Sequence, residues 1–288
     1  MEKLKTALLM VGLMLLFMFV GNLIGGQTGM IIAFVVAAGM NFFSYFFSDK
    51  LVLKHYKAVE VSRANAAGLY NIVERLTDRA NLPMPKVYII PEQVPNAFAT
   101  GRNPSHAAVA VTEGLLKLLD EKEVEGVLAH ELSHVKHYDI LIGTIAAAFA
   151  GAIAMLANFA KVGTMTGANS RGGGRTNGLF MLIAAFVMPL AASVIQMTIS
   201  RTREYKADAG AARLTNHPEW LISALSKIDN YARNYRMNNA TSSTAHMFII
   251  NPFSGLNGLT NLFSSHPTTG DRIAKLSQLE QELKQIRG

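Results

Sequence analysis

The chain has 288 residues, half of them hydrophobic and only 16% charged, and this shortage of charge against the roughly 25% of soluble domains indicates membrane association. The absence of cysteine excludes disulfides, thiolate metal ligands and a cysteine nucleophile. The formal charge of +7 comes from scattered Lys and Arg without a basic run beside aromatic residues, so no nucleic-acid partner is predicted.

The N-terminal segment is predicted to form two transmembrane helices. Residues 6–48 contain no charged side chain, and about 20 apolar residues suffice to cross a ~30 Å hydrocarbon core, so this length suits two helices joined by a short turn. Lys3 and Lys5 give a positive start that would also fit a cleaved signal peptide. The apolar run is longer than the roughly 7 to 15 residues of such peptides, which favours retained anchors.

The next part of the chain has the character of a water-soluble domain. Apolar residues in 58–80 follow helical spacing, and Asn81 with the following prolines ends that helix. "KVYII" and "AAVAVT" are short β-rich runs, and "NAFATGRNPSH" between them carries turn signals. Thr112 is placed to cap a short helix, and 121–139 is predicted to be helical.

Residues 141–200 form a predicted hydrophobic hairpin. Two uncharged stretches, 141–160 and 179–200, flank a Gly-rich loop, and each is long enough to cross a membrane. The first stretch is rich in Ala and Gly, so a buried hairpin packed on protein remains the alternative. In the last part, 201–288, Asn216 and Pro218 begin a helix, and an apolar stripe marks a final helix.

The pattern H-E-x-x-H occurs at His130, Glu131 and His134. Positions four apart share one face of a helix, so both imidazoles can reach one metal ion, with Glu131 beside them within reach of a water molecule. A general base at this position suits metal-assisted hydrolysis. His137 lies on that face less closely, and a catalytic site needs an open coordination position, so it is interpreted as a bystander.

A third ligand is predicted in "SRTREYKADAGAA", which starts at Ser200. Two neutral imidazoles leave a zinc ion short of one protein ligand, and catalytic zinc sites commonly complete the set with a carboxylate, here Glu204. Asp208 follows one helical turn later, where it can accept a hydrogen bond from the outer N–H of a ligating histidine. The sequence therefore predicts one Zn²⁺ per chain, bound by His130, His134 and Glu204.

The chain resembles the HtpX-type heat-shock membrane zinc proteases, which are related to the CAAX prenyl proteases. The resemblance rests on "HELSH" paired with "SRTREYKAD" across a hydrophobic hairpin, behind two N-terminal spans, and it covers essentially the whole chain. It implies an integral membrane protein of mainly α, α+β class. Up to four transmembrane helices would carry a gluzincin-like zinc protease domain with a small β-sheet.

The resemblance also implies roles for further residues. Glu131 would be the general base. "HPTTGDR" fits the family's His-Pro motif with a following Arg, so His266 and Arg272 are candidate catalytic residues that contact the substrate carbonyl or the transition state. "NAFATG" resembles the family's edge strand, where an extended substrate would pair by strand addition. The candidate substrate-binding residues are Asn96, Ala97, Phe98, Ala99 and Thr100. A structural His266 and a plain hairpin turn are the respective alternatives.

This interpretation divides the chain into four segments. They are two transmembrane helices in 1–48, the first part of the catalytic domain in 49–140, the hydrophobic hairpin in 141–200, and the second part of the catalytic domain in 201–288. Because zinc ligands flank the hairpin, it must cross the membrane an even number of times. Lysines before the first span and after the second place the catalytic domain in the cytoplasm.

The implied function is that of a zinc-dependent endopeptidase of the bacterial inner membrane, degrading misfolded or damaged membrane proteins during stress. Its expected partners are such unfolded substrates and the lipid bilayer. One alternative is a site-selective processing protease of the CAAX prenyl type. Another is a zinc-stabilised membrane adaptor or chaperone without catalysis, which would have no use for Glu131.

Overall fold

The computed structural model describes residues 2–141, 201–234 and 267–287. The described residues are mainly helical with one small mixed sheet, which confirms the predicted class. The helices are α1 (Glu2–His55), α2 (Ala67–Ala80), α3 (Glu113–Leu118), α4 (Glu121–Lys136), α5 (Arg201–Thr215), α6 (Pro218–Asn234) and α7 (Thr269–Arg287). The strands are β1 (Val59–Val61), β2 (Lys86–Ile90), β3 (Ala97–Gly101) and β4 (Ala107–Thr112).

The described residues fall into two compact units, 2–46 and the remainder. In the first unit, α1 is kinked at Gly25 and Gly26, whose backbone angles leave the helical region. The two arms of the kinked helix touch where a Cβ on Gly21 would lie 2.4 Å from the Gly29 carbonyl oxygen. Only glycine allows such a close backbone approach. The predicted pair of N-terminal helices is therefore a tightly packed hairpin.

Within the described residues, one helical segment is long and apolar enough to cross a membrane, the 23 residues of Gly25–Phe47. The preceding apolar helix, Thr6–Asn22, is shorter. The hairpin predicted at 141–200 lies, from residue 142 onward, outside the described residues.

The second unit contains the four-stranded sheet, in the order β1-β2-β4-β3. β2 and β4 are parallel, and the two outer strands run antiparallel to their neighbours. One sequence-based expectation was wrong here. Residues 59–61 are not helical, because their backbone pairs with β2. The edge strand expected in "NAFATG" is confirmed as β3, which pairs along its whole length with β4 and lies at one end of the sheet, so the alternative of a plain hairpin turn is excluded.

Helix α4 lies at the centre of the second unit, packed against α2, α5, α6 and β3. Its start is fixed by a capping box, in which Asp120 accepts from the Glu123 backbone N–H and the Glu123 carboxylate accepts from the Asp120 N–H, both at 2.9 Å. Thr112 caps α3 as predicted. Helix α4 ends at Lys136 rather than Asp139, because Tyr138 adopts a left-handed backbone (φ 64°).

A close approach sets the distance between α4 and α5. A Cβ on Gly210 of α5 would lie 2.4 Å from the Ser133 hydroxyl of α4. Glycine therefore lets the two helices meet next to His134, which follows Ser133 in the chain. This contact brings together the two helices that carry the candidate metal ligands.

Candidate metal centre

Three side chains from α4 and α5 converge at one point. The Nε2 atoms of His130 and His134 lie 3.2 Å apart. Glu204 Oε1 lies 3.4 Å from His134 Nε2, and Glu204 Oε2 lies 3.6 Å from His130 Nε2. Four-residue spacing on α4 and the close packing of α5 therefore bring the three predicted ligands together.

The distances between these atoms suit ligands of one metal ion better than direct hydrogen bonds between the side chains. Ligands held about 2.0 to 2.1 Å from a tetrahedral zinc ion lie roughly 3.3 Å from one another, close to the three distances observed. The buried Oε2 of Glu204 lies 3.6 Å from His130 Nε2 and 3.9 Å from Arg272 Nη1, both longer than a hydrogen bond. Two imidazoles with a carboxylate are a donor set that hydrolytic zinc sites use.

Asp208 and Arg272 support the first histidine. His130 Nδ1 lies 2.9 Å from Asp208 Oδ1, which orients the ring and directs Nε2 at the metal position. Arg272 from α7 donates to both oxygens of Asp208, at 2.7 and 2.9 Å. Burial would raise the pKa of Asp208, but the charge of Arg272 and the bond to His130 lower it to about 2. The carboxylate is therefore ionised at any physiological pH.

Asp139 supports the second histidine in the same way, and sequence reasoning missed it. His134 Nδ1 lies 3.0 Å from Asp139 Oδ2. The left-handed backbone at Tyr138 turns the chain after α4, and this turn brings the Asp139 carboxylate to the His134 ring. Burial lowers the pKa of His134, but its bonds to Asp139 and Glu204 raise it to about 10. Since a metal binds neutral imidazole, a metal ion bound here would displace a proton from His134.

Glu131 lies at the same centre, and its carboxylate accepts a hydrogen bond from the sheet. The backbone N–H of Ala99 in β3 donates to Glu131 Oε2 at 3.0 Å. Burial raises the pKa of Glu131, while the neighbouring histidines and the Ala99 N–H act to lower it. A carboxylate with this environment is suited to take up a proton during a reaction.

The other predicted site residues occupy varied positions. Arg272 is 1% exposed, and His137 is exposed at the C-terminal end of α4. Of the five candidate substrate-binding residues, Ala99 is the one whose backbone reaches Glu131. Asn96 and Thr112 exchange two hydrogen bonds at 2.9 Å, and the Phe98 ring is buried near Tyr56. Ala97 and Thr100 are buried. His266 lies outside the described residues, and direct contacts of Arg272 or β3 with a substrate stay predictions.

Comparisons with known proteins bear on this site. A family model described as Peptidase family M48 matches residues 63–280. The chain is 68% identical over 284 residues to a Campylobacter hominis protein named Protease HtpX homolog, covering 98% of this chain and all of that protein. A protein of the same name from a Sulfurovum species is 62% identical over 281 residues, covering 97% of this chain and all of that one.

A more distant relative of that name, from Methylibium petroleiphilum, is 54% identical over 274 residues, covering 94% of this chain and 95% of the relative. Among solved structures, the crystal structure of S. mikatae Ste24p matches with a TM-score of 0.52 and 20% identity. The match covers 96% of this chain and 64% of that one, so this chain spans just under two thirds of the Ste24p length. At this identity the likeness concerns the fold alone.

Proposed function

Since the chain belongs to peptidase family M48 and is a membrane metalloprotease, we propose that its metal is zinc and its substrates are misfolded or damaged membrane proteins. Relatives named Protease HtpX homolog confirm the relationship predicted from the motifs. Glu131 carries the hydrolytic part of the proposal, because a carboxylate that adjoins the candidate ligands and accepts a hydrogen bond from the β3 backbone is placed to act as the general base. Proteolytic quality control under stress is the role that we infer for this activity.

The chain's own groups have distinct tasks in this mechanism. Bound through His130, His134 and Glu204, a zinc ion would polarise the scissile carbonyl and lower the pKa of water to about 7. Glu131 takes the proton of the attacking water and delivers it to the leaving amine, a contribution of typically ~10² to 10⁴-fold. The Ala99 N–H keeps the Glu131 carboxylate in one orientation before and after each transfer.

Substrate recognition is proposed to occur along β3. This strand lies at one end of the sheet order, and its Ala99 N–H is directed at Glu131 rather than at β4. An extended peptide paired with this edge would therefore run past the general base. Strand addition recognises backbone more than side chains, which suits substrates that share only an unfolded state.

The same proposal covers topology. Lys50, Lys54 and Lys57 follow the candidate span Gly25–Phe47, and clustered Lys beside a span favours the cytoplasmic side. We place the catalytic domain in the cytoplasm of a bacterial cell, on a chain that crosses the inner membrane more than once. A processing protease of the CAAX prenyl type would share this site but would cut one position in few substrates.

The test compares the intact chain, Glu131→Gln and a chelator-treated sample in cleaving an unfolded membrane-protein reporter. Glu131→Gln should keep its zinc and its thermal stability but lose cleavage, because an amide cannot accept the proton. Asp78→Asn, an exposed change on α2, should cleave at the intact rate. Cleavage by Glu131→Gln at the intact rate would refute the general base. Binding without cleavage by every form would favour the adaptor function instead.

The pattern of products separates the two protease functions. Many cleavage sites in several unrelated unfolded reporters would support quality control. A single cut in one reporter, with the others intact, would support the processing protease.

A further inference from the structure

The catalytic unit has a basic cleft of about 910 Å³ between α2, α4, α5 and α7. Five cationic side chains and one histidine line it, and the described residues that line it include no carboxylate. These six are Arg79, Lys136, His137, Lys206, Arg213 and Lys275. The concave shape concentrates the field of these charges, so the cleft attracts anions.

Most of these charged side chains have no ion-pair partner among the described residues. In the part of the chain that the structure describes, Lys136, Lys206 and Arg213 take part in no ion pair. Arg79 has a weak pair, with its Nη1 3.5 Å from a Glu125 oxygen. Lys275 lies over the Tyr205 ring, with its Nζ 3.3 Å from the ring centroid, which leaves its charge at the cleft.

Two lysines of the basic cleft lie close in sequence to the hydrophobic stretches at 141–160 and 179–200. Lys136 precedes the uncharged stretch that starts at Leu141 by five residues, and Lys206 follows Ser200, the end of the second stretch, by six. At about 1.5 Å per helical residue, both side chains begin within roughly 10 Å of chain from these stretches. If these stretches enter the bilayer, only a short length of chain separates the two lysines from its surface.

We propose that the basic cleft binds the headgroup of an anionic phospholipid of the cytoplasmic leaflet. Lys136 and Lys206 contact the phosphate, and the hydroxyl of Thr202, which also lines the cleft, donates to it. Long lysine side chains can keep their stems on the protein while their charges reach the headgroup layer. Such binding would hold the catalytic unit at the membrane surface, and this consequence rests on the proposed membrane function.

The experiment measures binding of short-chain phosphatidylglycerol to the full-length, zinc-loaded chain in detergent. Short-chain phosphatidylcholine provides the zwitterionic comparison, and inorganic phosphate provides the soluble anion. The cleft variant is Lys136→Ala/Lys206→Ala. The matched control is Lys117→Ala/Lys122→Ala, which removes two exposed lysines from α3 and the opposite end of α4. All binding is also measured with the Glu131→Gln variant, which should not cleave substrates. The lipid-binding result therefore holds even if the proposed proteolytic function is wrong.

We expect the intact chain to bind phosphatidylglycerol more tightly than either comparison ligand. The cleft variant should lose roughly 25-fold in affinity, from about fivefold per lysine near an anionic lipid, while the control changes less than twofold. Equal losses of affinity in both variants would show that the cleft is not the binding site. Equally tight binding of inorganic phosphate would show that the ligand is not specifically a phospholipid. If the double variant does not fold, Lys206→Gln alone should still lose about fivefold, and an unchanged affinity there would refute the proposal.

Discussion

Arg272 donates two hydrogen bonds to the Asp208 carboxylate, from Nε to Oδ2 at 2.9 Å and from Nη2 to Oδ1 at 2.7 Å. Both side chains are almost fully buried, and the same carboxylate holds the ring of His130. Helix α7 is thereby tied to the metal centre without supplying a ligand. Loss of one partner of such a buried pair typically costs about 3 to 5 kcal/mol, because the other charge remains in the interior.

Arg272→Lys should reduce zinc affinity by about tenfold, since a lysine cannot form the two-bond fork that orients Asp208. Competition with a chelator would measure it. At saturating zinc, kcat should return to within a few-fold of the intact enzyme. Lys284→Ala, an exposed change on the same helix, serves as the control. Full zinc affinity combined with a hundredfold loss of kcat would instead assign Arg272 to the substrate.

Asp139→Ala should weaken zinc binding by about 10- to 100-fold, because His134 would lose the acceptor that fixes its ring. Asp139→Asn keeps an acceptor oxygen and should recover part of the affinity. Zinc content after dialysis, determined for both variants and for the exposed Asp78→Ala, would decide the matter. If Asp139→Ala retained zinc like the intact chain, the contact with His134 would have no role in metal binding.

Gly210→Ala should destabilise the catalytic unit by about 1 to 3 kcal/mol, the usual cost of an overpacked contact. The new methyl group would meet Ser133 at 2.4 to 2.9 Å and push α5 away from α4. Gly68→Ala is the matched control, because nothing lies within 4 Å of a Cβ there; it should be neutral or stabilise α2 by up to about 1 kcal/mol. Urea unfolding with zinc present would compare them, and equal stabilities would contradict the tight contact.

Reporter fusions after Leu53, Arg171 and Gly288 test the topology. Ligands from both sides of residues 141–200 meet at one site, so an odd number of crossings in between would separate them. The fusions after Leu53 and Gly288 should therefore report the same compartment, the cytoplasm. The Arg171 fusion distinguishes two topologies. It should report the outside of the membrane if the hairpin crosses it twice, and the cytoplasm if the hairpin does not cross. Opposite compartments for the first and last fusions would exclude the shared metal site.

Much of this site could be predicted from local sequence. A shared helical face follows directly from the four-residue spacing of His130 and His134, and the need for a third ligand points to a carboxylate such as Glu204. The caps of α3 and α4 also depend on neighbours three residues apart. These interactions are encoded within one or two helical turns, where periodicity carries the information.

The remaining contacts depend on tertiary structure. Asp139 reaches His134 only because Tyr138 adopts a left-handed conformation. The sequence does not predict this conformation, because Tyr, unlike Gly or Asn, does not favour it. The Ala99 N–H reaches Glu131 because β3 forms beside α4, 32 residues earlier in the chain. Arg272 reaches Asp208 because α7 packs against α5, although the two residues lie 64 positions apart in sequence. Such pairings are set by packing, which one sequence does not reveal.

The arrangement of ligands on two sides of residues 141–200 also has a consequence during translation. When the ribosome has completed α4, His130 and His134 are present but Glu204 has not been made. The nascent protein then has two of its three candidate metal ligands and no Asp208 to orient His130. Full metal binding must wait until the hydrophobic segment has emerged and α5 has packed on α4. The protease therefore stays inactive while its own chain is still incomplete and unfolded.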